Sequence, residues 1–199
     1  MENNNSNKES KVTKALKGFW DLIKFAIIAL LIVIPIRMFV AQPFVVSGES
    51  MFPTFHNGEY LIVDELSYII GQPHRGDVII FRFPGDTTRF FIKRIIGMPN
   101  EEISIKDGEV TIINKENPDG FKLNEPYIDE KFNSNYDYKT EDGEYFVMGD
   151  NRNRSADSRT WAESSPLKLT NKLIIGRAYL RLLPFKDISY LPGYFKEDK

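Results

Sequence analysis

The chain contains no cysteine. That excludes disulfide frameworks and thiolate zinc sites, and it leaves serine, threonine or lysine for any nucleophilic chemistry. The absence is compatible with a life outside the cytoplasm. Histidine is nearly as scarce: His56 and His74 are the only two in 199 residues, too few for a His-rich metal site. No excess of charge of one sign exists either. Against 28 acidic side chains stand 26 basic ones, a net of -2, so the main sequence argument for a nucleic-acid partner is missing. Neither a metal nor a cofactor is expected. There is no internal repeat, and this length suits one domain with a real core, or a core carrying a small insertion.

What is present begins with a polar stretch, residues 1–17, which has no apolar periodicity and reads as a disordered tail. Its lysines 8, 11, 14 and 17 outweigh Glu2 and Glu9, so it is basic. From Gly18 to Met38 the sequence turns apolar, and as a helix this run would be about 31 Å long, close to the hydrocarbon thickness of a bilayer. Trp20 suits one interface, Lys24 can snorkel to the headgroups, and Arg37 marks the far end. A cleaved targeting peptide is the rival reading, but Val40-Ala41-Gln42 is a weak cleavage signal. Residues 18–40 are therefore expected to be a retained, single-pass anchor. The basic tail places the N-terminus in the cytoplasm and the globular part outside.

Beyond Phe44 the pattern changes to short β-type runs: Tyr60 to Val63, Asp77 to Phe83, Phe90 to Ile96, Glu102 to Ile105, Glu109 to Ile113, Glu144 to Met148 and Leu173 to Leu183. Turn chemistry separates them, as in Pro84-Gly85-Asp86 and Lys106-Asp107-Gly108. Frequent short strands without long helical patterns between them predict a mainly all-β barrel or sandwich. Residues 100–142 are more polar and Asn-rich, as expected of an inserted cap on a core made by 41–99 and 143–199.

Three stretches carry candidate chemistry. In Val45 to Thr54, Ser50 lies in a glycine-hinged loop just past the apolar run; hydroxyls in such loops commonly form turns or caps. In Phe90 to Ile96, Lys93 and Arg94 point to opposite faces, so one of these charges should meet apolar surroundings unless the strand is at an edge. A lysine tolerates this better, because it can lose its proton and become a base, whereas arginine stays charged. The plain alternative is an exposed Lys93 serving solubility. In Gly149 to Arg159, acids and arginines alternate, so bidentate pairs could hold the loop rigid. A calcium loop is excluded, since Arg152 and Arg154 occupy positions that should carry oxygen ligands. A charged surface turn is not excluded.

Together these stretches resemble the type I signal peptidases, a family of Ser-Lys proteases, and most nearly their short, single-anchor Gram-positive form. Ser50-Met51-Phe52-Pro53-Thr54 resembles the nucleophile motif and Phe91-Ile92-Lys93-Arg94 the general-base motif. Gly149-Asp150-Asn151-Arg152 through Ser155, Asp157, Ser158 and Arg159 resembles the third signature. Gly58 to Val63 and Arg75 to Phe81 also match, in order and spacing. One departure follows Arg159, where relatives continue with an aromatic residue and Gly but this chain has Trp161-Ala162.

The resemblance implies a membrane-anchored serine endopeptidase that removes signal peptides from secreted preproteins through an acyl-enzyme, cleaving after small residues of the Ala-X-Ala type. Ser50 would be the nucleophile and Lys93 the base. Ser155 would orient Lys93, Asp157 with Arg159 would brace the loop, and Asp150 would support the same region. The oxyanion hole would include the Ser50 backbone N–H, with the N–H of Gly48, where some relatives carry a serine, or a substitute from Ser47 as the further candidates. Phe44, Val46, Met51, Leu61, Ile80 and Ile92 would line shallow substrate pockets. Expected partners are preproteins, membrane lipid and the nearby secretion translocon, with no nucleic acid, at a bacterial cell membrane. The alternatives are a catalytically silent, membrane-anchored β domain that binds exported proteins and a self-cleaving repressor-type protein. The presence of both Ser50 and Lys93 disfavours the first; the anchor and the lack of a DNA-binding N-terminal module disfavour the second.

Overall fold

The computed structural model describes residues 16–33, 42–164 and 167–193, with side chains at 162–164 excluded. The chain divides into two compact units, Met1–Val40 and Ala41–Lys199. In the first, residues 16–33 form helix α1, which begins two residues before the expected span and carries Lys17, Asp21 and Lys24. Lys24 Nζ lies 3.6 Å from Asp21 Oδ1. Among the described residues no helix is long and apolar enough to cross a membrane. The remainder of the expected anchor, 34–40, and the tail up to residue 15 lie outside the described residues.

The second unit is built from antiparallel sheets. Its strands are β1 (Gln42–Val45), β2 (Tyr60–Asp64), β3 (Val78–Phe83), β4 (Asp86–Gly97), β5 (Glu102–Lys106), β6 (Glu109–Ile113), β7 (Phe121–Lys122), β8 (Tyr136–Lys139), β9 (Glu144–Met148), β10 (Leu169–Thr170), β11 (Ile174–Leu183) and β12 (Ser189–Tyr190). Two short helices, α2 (Leu66–Ile70) and α3 (Ser158–Ser164), complete it. Among the described residues an eight-stranded sheet runs β1-β2-β11-β3-β4-β9-β10, with β12 on β11, and a four-stranded sheet runs β7-β6-β5-β8.

Alternation explains how the larger sheet is covered on both sides. In β3, Val78 and Ile80 join one cluster with Val46, Met51, Phe55, Leu61 and Val63. Their neighbours Ile79 and Phe81 join another with Ile95, Val147 and Trp161. Successive strand residues face opposite ways, so a continuous apolar run such as Val78-Ile79-Ile80-Phe81 requires cover on both faces. A third cluster joins the sheets, with Ile96, Phe146 and Met148 packed against Ile103, Ile105, Val110 and Ile112.

The turns obey local chemistry. Asp107 and Gly108 connect β5 to β6 with φ of 51° and 82°, the paired positive angles that favour an Asp-Gly hairpin. After Arg159, α3 runs through Trp161, whose ring packs 5.3 Å from Phe83 and 5.8 Å from Phe81.

Candidate active site

The β1–β2 connection delivers Ser50. Val46 N–H donates to Glu59 O at 2.9 Å and Gly58 N–H to Val46 O at 2.8 Å, which extends the strand pairing into the loop. Met51 and Phe55, joined by a 2.9 Å hydrogen bond from Phe55 N to Met51 O, are buried in the core. With those two apolar side chains inside, Ser50 is held at the surface of a cleft.

Lys93 comes from β4, an interior strand between β3 and β9. Its Nζ lies 2.7 Å from Ser50 Oγ and 2.9 Å from Ile92 O, with the Phe91 ring centroid 5.3 Å away. Only 4% of the residue is exposed. Burial pushes its pKa down to about 8, although Asp157 and Asp150 pull in the opposite direction. Lys93 is therefore not a solubility residue on an open sheet face. Its neighbour Arg94, on the other face, is buried as well. Pairing with Asp150, at 2.8 Å from Nε to Oδ1 and 2.6 Å from Nη2 to Oδ2, offsets the desolvation of Arg94.

The β9–α3 loop closes the site. Asn151 N–H donates to Ser50 O at 3.1 Å, and Asn151 Nδ2 to Glu49 O at 3.1 Å. Thr54 Oγ1 donates to Asp150 Oδ2 at 2.5 Å, so Asp150 ties the serine loop to Arg94. Arg159 donates from Nε and Nη2 to the two Asp157 oxygens at 2.8 Å each, and Asp157 Oδ2 accepts from Gly149 N–H at 3.0 Å. Gly149 is needed for close approach: a Cβ there would lie 2.3 Å from Ser155 Oγ and 2.3 Å from Ser50 O.

Several expected placements differ. Ser155 makes no hydrogen bond to Lys93; its Oγ is buried without a partner, although the residue sits beside Gly149 and the Ser50 carbonyl. Gly48 N–H is committed to Asn57 Oδ1 at 2.9 Å and so is not an open oxyanion donor. The Ser50 N–H has no acceptor among the described residues. Phe44, Val46, Leu61, Ile80 and Ile92 line a cleft of about 520 Å³ together with Ser50 and Lys93. Met51 does not line it, being 1% exposed within the core. The cleft gains walls from Arg89, Phe90 and Ala156 that sequence patterning did not single out. Also missed were Thr54 as a partner of Asp150, and Glu125, which pairs with Arg152. Among the described residues no cluster of His, Asp and Glu is placed to hold a metal ion.

A hydroxyl and a desolvated amine in contact at the end of an apolar cleft can perform nucleophilic hydrolysis. Comparison with known proteins agrees with a hydrolase. Residues 19–183 match the family described as signal peptidase, peptidase S26, and the chain belongs to that family. Within it, the protein is a serine endopeptidase of the signal peptidase I kind. Signal peptidase I T of Bacillus subtilis is 34% identical over 199 residues, covering 94% of this chain and 97% of that one. Signal peptidase I of Bacillus licheniformis is 33% identical and covers 90% and 97%. A probable signal peptidase I-1 from Synechocystis is 36% identical, covering 83% and 85%. A crystal structure of a signal peptidase I from Enterococcus faecalis superposes with a TM-score of 0.44 at 27% identity, over 53% of this chain and 95% of that one.

Proposed function

We propose that this enzyme removes signal peptides from secreted preproteins by a Ser50–Lys93 mechanism, cleaving after small side chains. The observation that carries the reading is the 2.7 Å contact between Ser50 Oγ and an almost fully buried Lys93 Nζ. When Lys93 is protonated, Nζ donates across that contact; once it is neutral, it accepts the serine proton instead. Ser50 Oγ then attacks the scissile carbonyl, and the Lys93 ammonium returns the proton to the departing amine. In the second half-reaction the neutral amine takes a proton from water as the water oxygen attacks the acyl-serine carbonyl. The bond to Ser50 Oγ then breaks, the Lys93 ammonium gives its proton to that oxygen, and the acid product leaves with the free serine and neutral amine restored. The developing oxyanion is assigned to the Ser50 backbone N–H. Asp150, Asp157 and Arg159 brace the loop, and Ser155 has a free hydroxyl with which to meet the lysine when substrate is bound.

Small side chains before the cleaved bond suit an apolar cleft whose walls include Val46, Leu61, Ile80 and Ile92. The apolar run 18–40 and the lysine-rich tail before it support an anchor in the bacterial cell membrane, with the N-terminus cytoplasmic, the catalytic unit outside and the translocon close by. The test compares wild type, Ser50→Ala and Lys93→Ala on a purified preprotein, read on a gel. Loss of processing in both variants is expected; processing that persists in both sinks the assignment.

A further inference from the structure

We propose that Glu125 and Tyr127, in the segment between β7 and β8, are positioning residues that hold the catalytic loop and the lysine-bearing strand together. The inference rests on the Ser50–Lys93 reading and assigns a role to a segment that the sequence presented as decoration.

The segment is a tight turn, with Ile128 N–H donating to Glu125 O at 3.2 Å and Pro126 supplying a fixed φ at its second position. Two side chains two residues apart thereby point at the same place, and Tyr127 Oη donates to Glu125 Oε1 at 2.9 Å. Each meets a different half of the site. The Glu125 carboxylate takes both arms of the Arg152 guanidinium, with Nη1 to Oε2 at 3.0 Å and Nη2 to Oε1. The Tyr127 ring lies under Arg94, with Cζ 3.8 Å from the ring centroid. Arg152 and Glu125 side chains are 1% and 9% exposed, so this pair lies in a low-dielectric setting rather than at a screened surface.

From there the connections run to the reacting groups. Arg152 N–H donates to Asp150 O at 3.0 Å, and Arg152 O accepts from Arg159 Nη2 at 2.8 Å. Arg159 holds Asp157, and Arg94 holds Asp150. Asp157 and Asp150 are the two charges that act on the Lys93 amine. Phe132, in the same connection, backs both arginines, its ring 5.0 Å from Arg152 Cζ and 5.6 Å from Arg159 Cζ. Release of Arg152 would loosen the β9–α3 loop, whose Ala156 lines the cleft together with Lys93.

The experiment uses the full chain in detergent, a peptide with an Ala-X-Ala site, and kcat and KM measured against pH for wild type, Glu125→Ala, Glu125→Gln and Tyr127→Phe, with the folded fraction measured in parallel. For Glu125→Ala, kcat per folded molecule should fall about tenfold to a hundredfold with KM little changed, the cost of misplacing reacting groups. The acid limb of its kcat profile should move up by about one pH unit as Lys93 regains water. Glu125→Gln, which keeps hydrogen-bonding capacity toward Arg152, should recover part of the rate, and Tyr127→Phe should shift the limb in the same direction by less. If Glu125→Ala does not fold, the other two variants decide by the same criterion. An acid limb that stays in place in the folded variants, whatever their rate, overturns the proposal. Ser50→Ala is run in the same series, so failure of the dyad reading would appear as cleavage that persists in that variant, a different result.

Discussion

Arg94 and Asp150 stand 56 residues apart in the chain and form a bidentate ion pair with 0% and 1% of their side chains exposed. The pair joins the strand that carries Lys93 to the loop that follows β9. It also receives Thr54 from the serine loop, so elements distant in sequence converge on one carboxylate.

Removal of one partner should therefore be costly. Asp150→Ala leaves the Arg94 guanidinium buried without its counter-charge, and a loss of about 3–5 kcal/mol is expected in urea unfolding. An apolar double substitution, Arg94→Met with Asp150→Leu, should recover much of that stability, because neither charge of the pair then remains to be desolvated. A double variant as unstable as Asp150→Ala would contradict this account.

Activity should rise with pH through about 8, the value to which burial lowers Lys93, because only the neutral amine can take the serine proton. A kcat/KM profile whose acid limb lies instead near the 10.5 of an ordinary lysine would refute the desolvation argument.

Stability should follow the same group with a definite sign. Lys93 is depressed in the folded state, so between about 8 and 10.5 the unfolded chain binds the proton more tightly and stability rises with pH; below about 8 both states are protonated and the penalty is constant. That shift corresponds to about 3 kcal/mol. Lys93→Met should thus abolish cleavage yet raise stability at pH 7, with the gain over wild type shrinking toward pH 10. Unfolding curves at several pH values would reveal it.

Gly149→Ala should cut turnover by at least about tenfold with little change in overall secondary structure, since the added methyl would meet the Ser50 carbonyl and the Ser155 hydroxyl, both at 2.3 Å. Peptide cleavage and circular dichroism on the same sample check it. Full activity in this variant would mean that the loop relaxes freely.

Much of the scaffold is legible in the sequence. Strong alternation or continuous apolar character marks β2, β3, β4, β5, β6, β9 and β11, and each appears within a few residues of its expected span. The strands that patterning did not reveal, β1, β7, β8, β10 and β12, are two to four residues long. So short a run has too few residues to show a period, and it becomes a strand only because a longer neighbour offers it hydrogen bonds. Met51 was misplaced for a related reason. An apolar residue beside a candidate nucleophile can face the cleft or the core, and only the turn from Met51 to Phe55 decides which.

Residue chemistry and spacing by themselves marked the β character and the motifs that carry the family resemblance, because these depend on local properties: side-chain type, alternation and turn-forming residues; it was the resemblance that then singled out Ser50 and Lys93. The partners of the charges were settled only by the tertiary structure. The acids and arginines of 149–159 looked able to satisfy one another, yet Asp157 alone takes a loop arginine by side-chain pairing, while Asp150 binds Arg94 and Arg152 binds Glu125. Ion pairing is decided by which groups are buried together and what desolvation each must offset, and that depends on how distant strands stack rather than on which charges are neighbours in the chain.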